Sequence, residues 1–302
     1  MRPKAWNIRD LLRVATDYLK KKQIGSPRLD AEVLLACQLN VDRVTLYLNF
    51  DQPLTEKEIS GYRTLIKRRL RREPVQYITG VQEFWSLDFM VNPQVLIPRP
   101  ESELLLDLAI NRVNVLAGLE DRPPKILDLG TGCGALVISL ATEVPQSQIW
   151  ATDISSGALK LAHLNAKKHG VLDRIKFRQG DLWEPLINQD VTFDIILSNP
   201  PYIASEKYDD LPPEVRDHEP RLALDGKRGG MYYIEKIIRG ALDFINPGGR
   251  IILEMAPDQT EKALRLIGQI KGYGDSSRIK DYSHRYRVVM AQGARPISGS
   301  IH

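Results

Sequence analysis

Hydrophobic positions follow two different rhythms along this chain. Up to about residue 75 they recur at helical spacing, with Ile8, Leu11, Leu12, Ala15 and Leu19 on one face. Ser26-Pro27 predicts an N-cap followed by proline at the first helical position, ahead of the apolar positions Leu29, Val33, Leu34 and Cys37. Thr55 and Glu58 fit a capping box, and Ile59, Tyr62, Ile66 and Leu70 follow on one face. These segments predict a small bundle of amphipathic helices, closed by the basic run Lys67 to Arg72. That run reads first as a solvated helix face and C-terminus, where cations suit the helix dipole. A contact to RNA or to an acidic partner is the alternative.

From residue 84 the rhythm changes. Leu87, Phe89 and Val91 alternate with Asp88 and Met90, Asn92-Pro93 turns the chain, and Val95-Leu96-Ile97 follows. This predicts a short hairpin between two domains. Leu104, Leu105, Leu108 and Ala109 then continue as a helix. From residue 125 strand and helix alternate. Strands are expected at Lys125 to Leu129, Gln148 to Asp153, Ile175 to Asp181, Phe193 to Ser198 and Arg250 to Glu254. Helices are expected at Ala135 to Ala141, Ser155 to His169, 231–245 and 258–270, with Pro247-Gly248-Gly249 as a turn. Two last strands, near 278–282 and 286–292, sit too close for a crossover helix and should be antiparallel. The pattern is α/β: a doubly wound, mostly parallel sheet with an antiparallel final strand. Residues 293–302 read as a loose tail.

The 302 residues are enough for two domains, and 43% hydrophobic with 26% charged content is ordinary for a soluble globular chain. No apolar run approaches the roughly 18 residues of a membrane span. Met1 to Asn7 lacks an apolar segment, so no secretory signal is read. Cys37 and Cys133 lie far apart and form no metal spacing, which fits a reduced, cytoplasmic protein without a metal. A net charge of +4 suits a partner that is itself bound to RNA, but is too weak to predict nucleic-acid binding.

In an open parallel sheet, ligands bind beyond the carboxyl ends of the strands, near the point where strand order reverses. Four features lie at such ends. Gly130-Thr131-Gly132-Cys133-Gly134 allows close backbone approach, and the following helix N-terminus favours a carboxylate or phosphate. A structural turn would carry the same glycines, and Gly130, Gly132 and Ala135 also satisfy a permissive dinucleotide pattern. Asp153 ends the second strand, where a carboxylate can accept both ribose hydroxyls of an adenosine. That serves NAD and S-adenosylmethionine equally, and a helix N-cap is the structural alternative. At the third end, Asp181 can accept from an adenine amino group and the Leu182 N–H can donate to a ring nitrogen, unless Gly180 to Leu182 is an ordinary polar turn.

Asn199-Pro200-Pro201-Tyr202 ends the fourth strand. The Asn199 oxygen can accept one N–H of a planar NH2 group. Proline has no N–H, so the backbone carbonyl beside it stays free to accept the other. The Tyr202 ring offers a flat face for stacking, or is simply a core aromatic. A nicotinamide enzyme has no need of an amide-binding turn here. Methyl transfer to a poorly nucleophilic amide or aromatic amine does need one.

With these residues in view, the chain resembles the HemK/PrmC family of release-factor glutamine methyltransferases. The likeness runs over nearly the whole length. Ser26 to Glu32 is similar to the family's N-terminal helical motif, and Pro74 to Gly80 and Ile97 to Glu103 to its linker motifs. Asp128 to Gly134 and Asn199 to Tyr202 match its cofactor and substrate motifs. Met255 to Gln259 departs from it, lacking the usual glycine. The Asn-Pro-Pro-Tyr turn alone is shared with adenine-N6 methyltransferases of DNA and RNA; its combination with Pro98 to Glu103 and the helical N-domain is more specific.

The resemblance implies a Rossmann-like class I S-adenosylmethionine-dependent methyltransferase with a small N-terminal helical domain. It implies a release-factor-docking bundle over 1–83, a hairpin linker over 84–100 and a methyltransferase domain over 101–302. The substrate would be the glutamine of the Gly-Gly-Gln motif in peptide-chain release factors. Carried over by position, Gly130, Thr131, Gly132, Cys133, Gly134 and Asp153 would hold the methionine part and the ribose of S-adenosylmethionine. Asp181 and Leu182 would border the adenine, and Asn199, Pro200, Pro201 and Tyr202 would form the catalytic turn around the glutamine amide, with Asn199 also beside the cofactor. A monomer acting without a membrane or direct nucleic acid is implied. The rival enzyme, an adenine methyltransferase, would be expected to carry a larger target-recognition region and a more basic face. A non-catalytic module keeping the cofactor fold is the rival from another class, and the intact turn argues against it.

Overall fold

The computed structural model of the chain describes residues 6–119 and 122–294. The expected tail lies outside the described residues from 295 on, as do residues 1–5 of the segment read for a secretory signal. The chain divides into two compact units: residues up to Val81 together with Pro212–His218, and Gln82–Leu211 together with Glu219 onward.

The first unit is helical: α1 (Ile8–Lys21), α2 (Pro27–Leu39), α3 (Arg43–Leu48), α4 (Glu56–Leu70) and α5 (Val75–Thr79). The capping box forms as predicted, with Glu58 N–H donating to Thr55 Oγ1 and the Thr55 N–H to the Glu58 carboxylate. Leu12, Leu19, Leu34, Leu35 and Leu46 are wholly buried, and the buried Tyr62 donates its hydroxyl to the Ala31 carbonyl at 2.9 Å.

The pairing of buried charge alters two expectations here, while the basic run does end α4 as expected, with Lys67, Arg68 and Arg69 in its last turn. Helix α2 starts at Pro27, but the Ser26 side chain caps nothing, and the buried face is Ala31, Leu34 and Leu35 rather than Leu29 or Cys37. That face also takes in Asp30 and Glu32. Both can be buried because Arg69 donates to Asp30 at 2.7 Å, and Arg28, Arg43 and Tyr47 donate to Glu32. The basic run is correspondingly not a solvated face. Arg68 pairs with Glu73, Arg69 with Asp30 and Glu214, and Arg72 with Glu214 and the carbonyls of Lys22 and Gln23. Only Lys67 and Arg71 of the run are exposed.

In the second unit a hairpin, β1 (Val81–Phe84) and β2 (Leu87–Met90), precedes α6 (Glu103–Ala117). The predicted hairpin was placed one strand too late: residues 95–97 form no strand. The turn is Trp85-Ser86, both left-handed at φ 53° and 58°, as a two-residue hairpin of this hand requires. Glu103 accepts from the Trp85 N–H and Glu83 from the Ser86 N–H, which offsets the strain that glycine or asparagine would avoid.

Among the described residues the main sheet has seven strands: β3 (Lys125–Leu129), β4 (Gln148–Asp153), β5 (Ile175–Gln179), β6 (Phe193–Ser198), β7 (Ile245–Glu254), β8 (Tyr273–Lys280) and β9 (Tyr286–Gly293). Their order is β5-β4-β3-β6-β7-β9-β8, with β3 to β7 parallel and β9 and β8 antiparallel. Helices α7 (Ala135–Glu143), α8 (Ser156–Lys168), α9 (Tyr232–Gly240) and α10 (Thr260–Gln269) pack on it. Ile234, Ile237 and Ile238 of α9 and Ala263 and Ile267 of α10 join Ile196, Ile251 and Leu253 of the sheet in one core. The residues expected to turn before β7 lie within it, where the register against β6 breaks between Phe193 and Ile195.

Strand β6 is buried along its whole length, yet it contains Asp194. Arg122 grips that carboxylate with two bonds of 2.8 and 2.7 Å, and the Lys125 N–H and the Asn246 amide complete its shell. Burial alone would raise the Asp194 carboxyl; these donors overcome it and hold it below the usual carboxylate range. Asp194→Ala is expected to lower unfolding stability by about 3 kcal/mol in urea titrations near neutral pH. Because the folded value is depressed, this contribution is present above about pH 4 and is lost as pH falls through the folded value. The gap between wild type and variant should therefore narrow in acid.

Candidate functional site

Strand order reverses between β3 and β6, and beyond their carboxyl ends lies a cavity of about 320 Å³. The structure brings most of the predicted site to it. Gly130, Thr131, Gly132 and Cys133 line it, as do Asp153, Asp181 and Leu182, and Asn199 and Pro201 of the turn. Gly134, Pro200 and Tyr202, from the same two loops, are not among the residues that line it.

The loop after β3 owes its shape to glycine. Gly130, Gly132 and Gly134 have φ of 77°, 58° and 86°. At Gly134 a Cβ would also come within 2.8 Å of Ile138 Cδ1 and 3.2 Å of Ala162 Cβ. The N–H groups of Gly130 and Thr131 both donate to the Thr152 carbonyl, which ties the loop to β4. Asp153 then fixes its crest, accepting from Gly132 N–H through Oδ2 and from Ser155 N–H through Oδ1, each at 2.8 Å. Asp153 is not the cap of α8; Ser155 is, accepting from the Ala158 N–H. Burial raises the Asp153 carboxyl, and the two backbone donors oppose this. Each of its oxygens keeps a lone pair for a hydroxyl donor.

Asp128 lies just before the loop, at the first position of the Asp128 to Gly134 motif. It is 1% exposed, and neither carboxylate oxygen has a regular hydrogen bond among the described residues. Burial pushes its carboxyl up to about 7; the Thr131 side chain opposes the shift and the Asp153 charge adds to it.

At the end of β5, Leu182 holds a left-handed φ of 47°, an uncommon conformation for a branched side chain. The neighbouring Asp181 carboxylate lies 3.7 Å from Lys236 Nζ.

At the end of β6, Asn199 donates through Nδ2 to Ser102 Oγ at 2.9 Å. Its Oδ1 makes no hydrogen bond among the described residues and is left for an incoming N–H. Ser102 in turn donates to Glu254 Oε2 at 2.6 Å. The Tyr202 hydroxyl donates to Glu254 Oε1 at 3.3 Å, and its ring packs on the core under the sheet end. The ring thus supports the turn through the core and is not among the residues that line the cavity. Gln259 holds the same turn by donating to the Tyr202 carbonyl at 2.8 Å.

Ser102 and Glu254 were missed as site residues. One sat inside a motif quoted as a linker, and the other was read only as a strand end. Arg99 was missed as well: it lines the cavity, its guanidinium held by the buried Glu219 at 2.5 Å.

A reversed final strand pair, a glycine loop backed by an acidic strand end and an Asn-Pro-Pro turn on one cavity define a methyltransferase of the Rossmann-like class. Comparison with known proteins agrees. Residues 10–80 match the model described as PrmC N-terminal domain, and residues 112–212 that of the methyltransferase small domain. The chain is 40% identical to the release factor glutamine methyltransferase of Geobacter sulfurreducens over 95% of this chain and 97% of that one. It is 39% identical to the enzyme of the same name from Rhodopirellula baltica, over 96% and 97%. The chain belongs to the release factor glutamine methyltransferase family. Among solved structures, the hMettl16 catalytic domain in complex with MAT2A 3'UTR hairpin 6 shares the fold at 15% identity, with a TM-score of 0.57 over 77% of this chain and 84% of that one.

Gly134→Ala should lower stability by about 1–2 kcal/mol, since it combines a left-handed φ with a tight contact. Urea unfolding checks this. An unchanged midpoint would mean that the loop tolerates a side chain there.

Proposed function

We propose that this protein transfers a methyl group from S-adenosylmethionine to the side-chain amide nitrogen of the glutamine in the Gly-Gly-Gln motif of peptide-chain release factors. The observation that carries this reading is the Asn199 amide, whose nitrogen is taken by Ser102 and whose oxygen is left open at the cavity.

The residues at the strand ends fit S-adenosylmethionine. The free lone pairs of Asp153 suit the two ribose hydroxyls, and the glycine loop ahead of α7 suits a carboxylate. Asp128, which has no cationic partner among the described residues, suits the positive charge of the amino-acid part. Asp181 and Leu182 line the same cavity and suit the adenine. When bound, S-adenosylmethionine supplies a methyl group already activated by its positively charged sulfur.

The chain's own task is then positioning. An amide nitrogen is a poor nucleophile because its lone pair is delocalised into the carbonyl. Asn199 Oδ1 and the Pro200 carbonyl accept the two amide hydrogens, hold the nitrogen in line and favour its pyramidal geometry as it attacks. As the N–C bond forms, the methyl–sulfur bond would break with its electron pair left on sulfur, and the extra amide proton would pass to water afterwards, so no strong base is needed beforehand. Tyr202 and Pro201 fix the turn that presents both acceptors. The name shared by the relatives supports the release factor as substrate. An adenine methyltransferase would use the same turn, but its expected basic face finds no support in Arg68, Arg69 and Arg72, which are paired within the first unit.

Asn199→Ala should lower kcat on release factor at least about 100-fold, with the Kd for S-adenosylmethionine changed less than about threefold. Equal losses in both would contradict the assignment. The helical unit is the docking surface for the release factor in this reading. Deleting residues 1–75 would also strip Glu214 of Arg69 and Arg72, so surface substitution tests docking more cleanly. Val44 and Leu48 of α3 are 64% and 78% exposed. Val44→Glu with Leu48→Glu should raise KM for release factor several-fold while kcat and cofactor affinity stay unchanged; an unchanged KM would remove α3 from the docking surface.

A further inference from the structure

We infer that Glu254 and Ser102 are positioning residues that set which end of the Asn199 amide faces the substrate. The inference rests on the proposed reading of Asn199 as the acceptor for an amide N–H.

The argument is one of hydrogen-bond direction. An ionised carboxylate only accepts. The single hydroxyl proton of Ser102 must therefore point at Glu254, and the 2.6 Å separation from Glu254 Oε2 is that of a charge-assisted bond. Ser102 Oγ then offers only lone pairs on its other side. Asn199 can meet it at 2.9 Å only through its NH2 group. That leaves Oδ1, an acceptor, for the substrate. With the amide turned over, two NH2 groups would face each other and transfer would lose its acceptor.

The three residues are buried or half-buried, so water does not compete freely for these bonds. Ser102 is 5% exposed and Glu254 1%. The second Glu254 oxygen accepts from Tyr202, so one carboxylate braces both ends of the turn. Other groups act on Glu254 from the elements around it. Burial raises its carboxyl; Ser102, the Arg287 charge and Tyr202 oppose this, and Glu101 adds to it. Protonated Glu254 could donate to Ser102, release the serine hydroxyl toward Asn199 and free the amide to invert. Loss of turnover in acid should thus set in above the ordinary glutamate range of about 4.3.

The test is steady-state methylation of release factor by Ser102→Ala, Ser102→Thr, Glu254→Gln and Asn199→Ala, with thermal melts and cofactor Kd measured on each. The expected result is a kcat loss of about tenfold or more in Ser102→Ala, with KM and Kd within about twofold. Ser102→Thr, which keeps the hydroxyl, should recover most of that loss. Adding Ser102→Ala to Asn199→Ala should cost little more, because the relay acts only through Asn199. Glu254→Gln should lower kcat and abolish the acid limb of its pH profile. Should Ser102→Ala fail to fold, that profile alone decides. Wild-type kcat in Ser102→Ala, an additive double variant or an acid limb retained in Glu254→Gln would overturn the relay. If Asn199→Ala itself keeps full kcat, the parent reading of Asn199 fails; if Asn199→Ala is crippled and Ser102→Ala is not, only the relay fails.

Discussion

The carboxylate of Glu254 imposes a direction on everything bonded to it. It ends β7, beside the turn that ends β6, because parallel strands in register bring their carboxyl ends to one edge. From there it receives the hydroxyls of Ser102 and Tyr202. The serine passes that polarity to Asn199. A turn that could equally present a donor or an acceptor is thereby committed to being an acceptor. In the proposed reaction the chemistry asked of it is mild, since the methyl donor is already activated, and a fixed polarity would be most of the chain's contribution.

The other buried carboxylates make the same point by contrast. Asp30 is met by Arg69, Glu32 by Arg28 and Arg43, Asp194 by Arg122 and Glu219 by Arg99. Each is a structural pair that allows a charge to sit inside the fold. Asp128 has no such pair among the described residues, and it stands directly beneath the glycine loop. Removing an acid from water without a charged partner favours its neutral form, and burial pushes the Asp128 carboxyl up to about 7.

Much of this was legible in the sequence because it depends on local pattern. Strands buried on both faces read as apolar runs, the Thr55 and Glu58 box is contained within four residues, and the strand-end features of a parallel sheet converge on one edge wherever the strands are found. What escaped the sequence depends on distant partners. Ser102 and Glu254 are 152 positions apart, and Ser102 and Asn199 are 97 apart. The face of α2 was misjudged because Asp30 counts as polar until Arg69, 39 positions away, is placed beside it. The hairpin turn escaped because Trp85-Ser86 carries no turn signature of its own; its strain is offset by Glu83 and by the more distant Glu103. The bond from the Tyr202 hydroxyl likewise goes to a residue 52 positions later, Glu254.

The central claim is that a planar, neutral amide is the group that accepts the methyl. Its most direct test is to incubate the protein with labelled S-adenosylmethionine and, separately, with release factor and with adenine-containing DNA or RNA, and to map the label by mass. The account predicts one methyl group on the Gly-Gly-Gln glutamine, on its side-chain nitrogen. Label confined to nucleic acid would contradict it, keeping the fold and the cofactor while overturning the substrate.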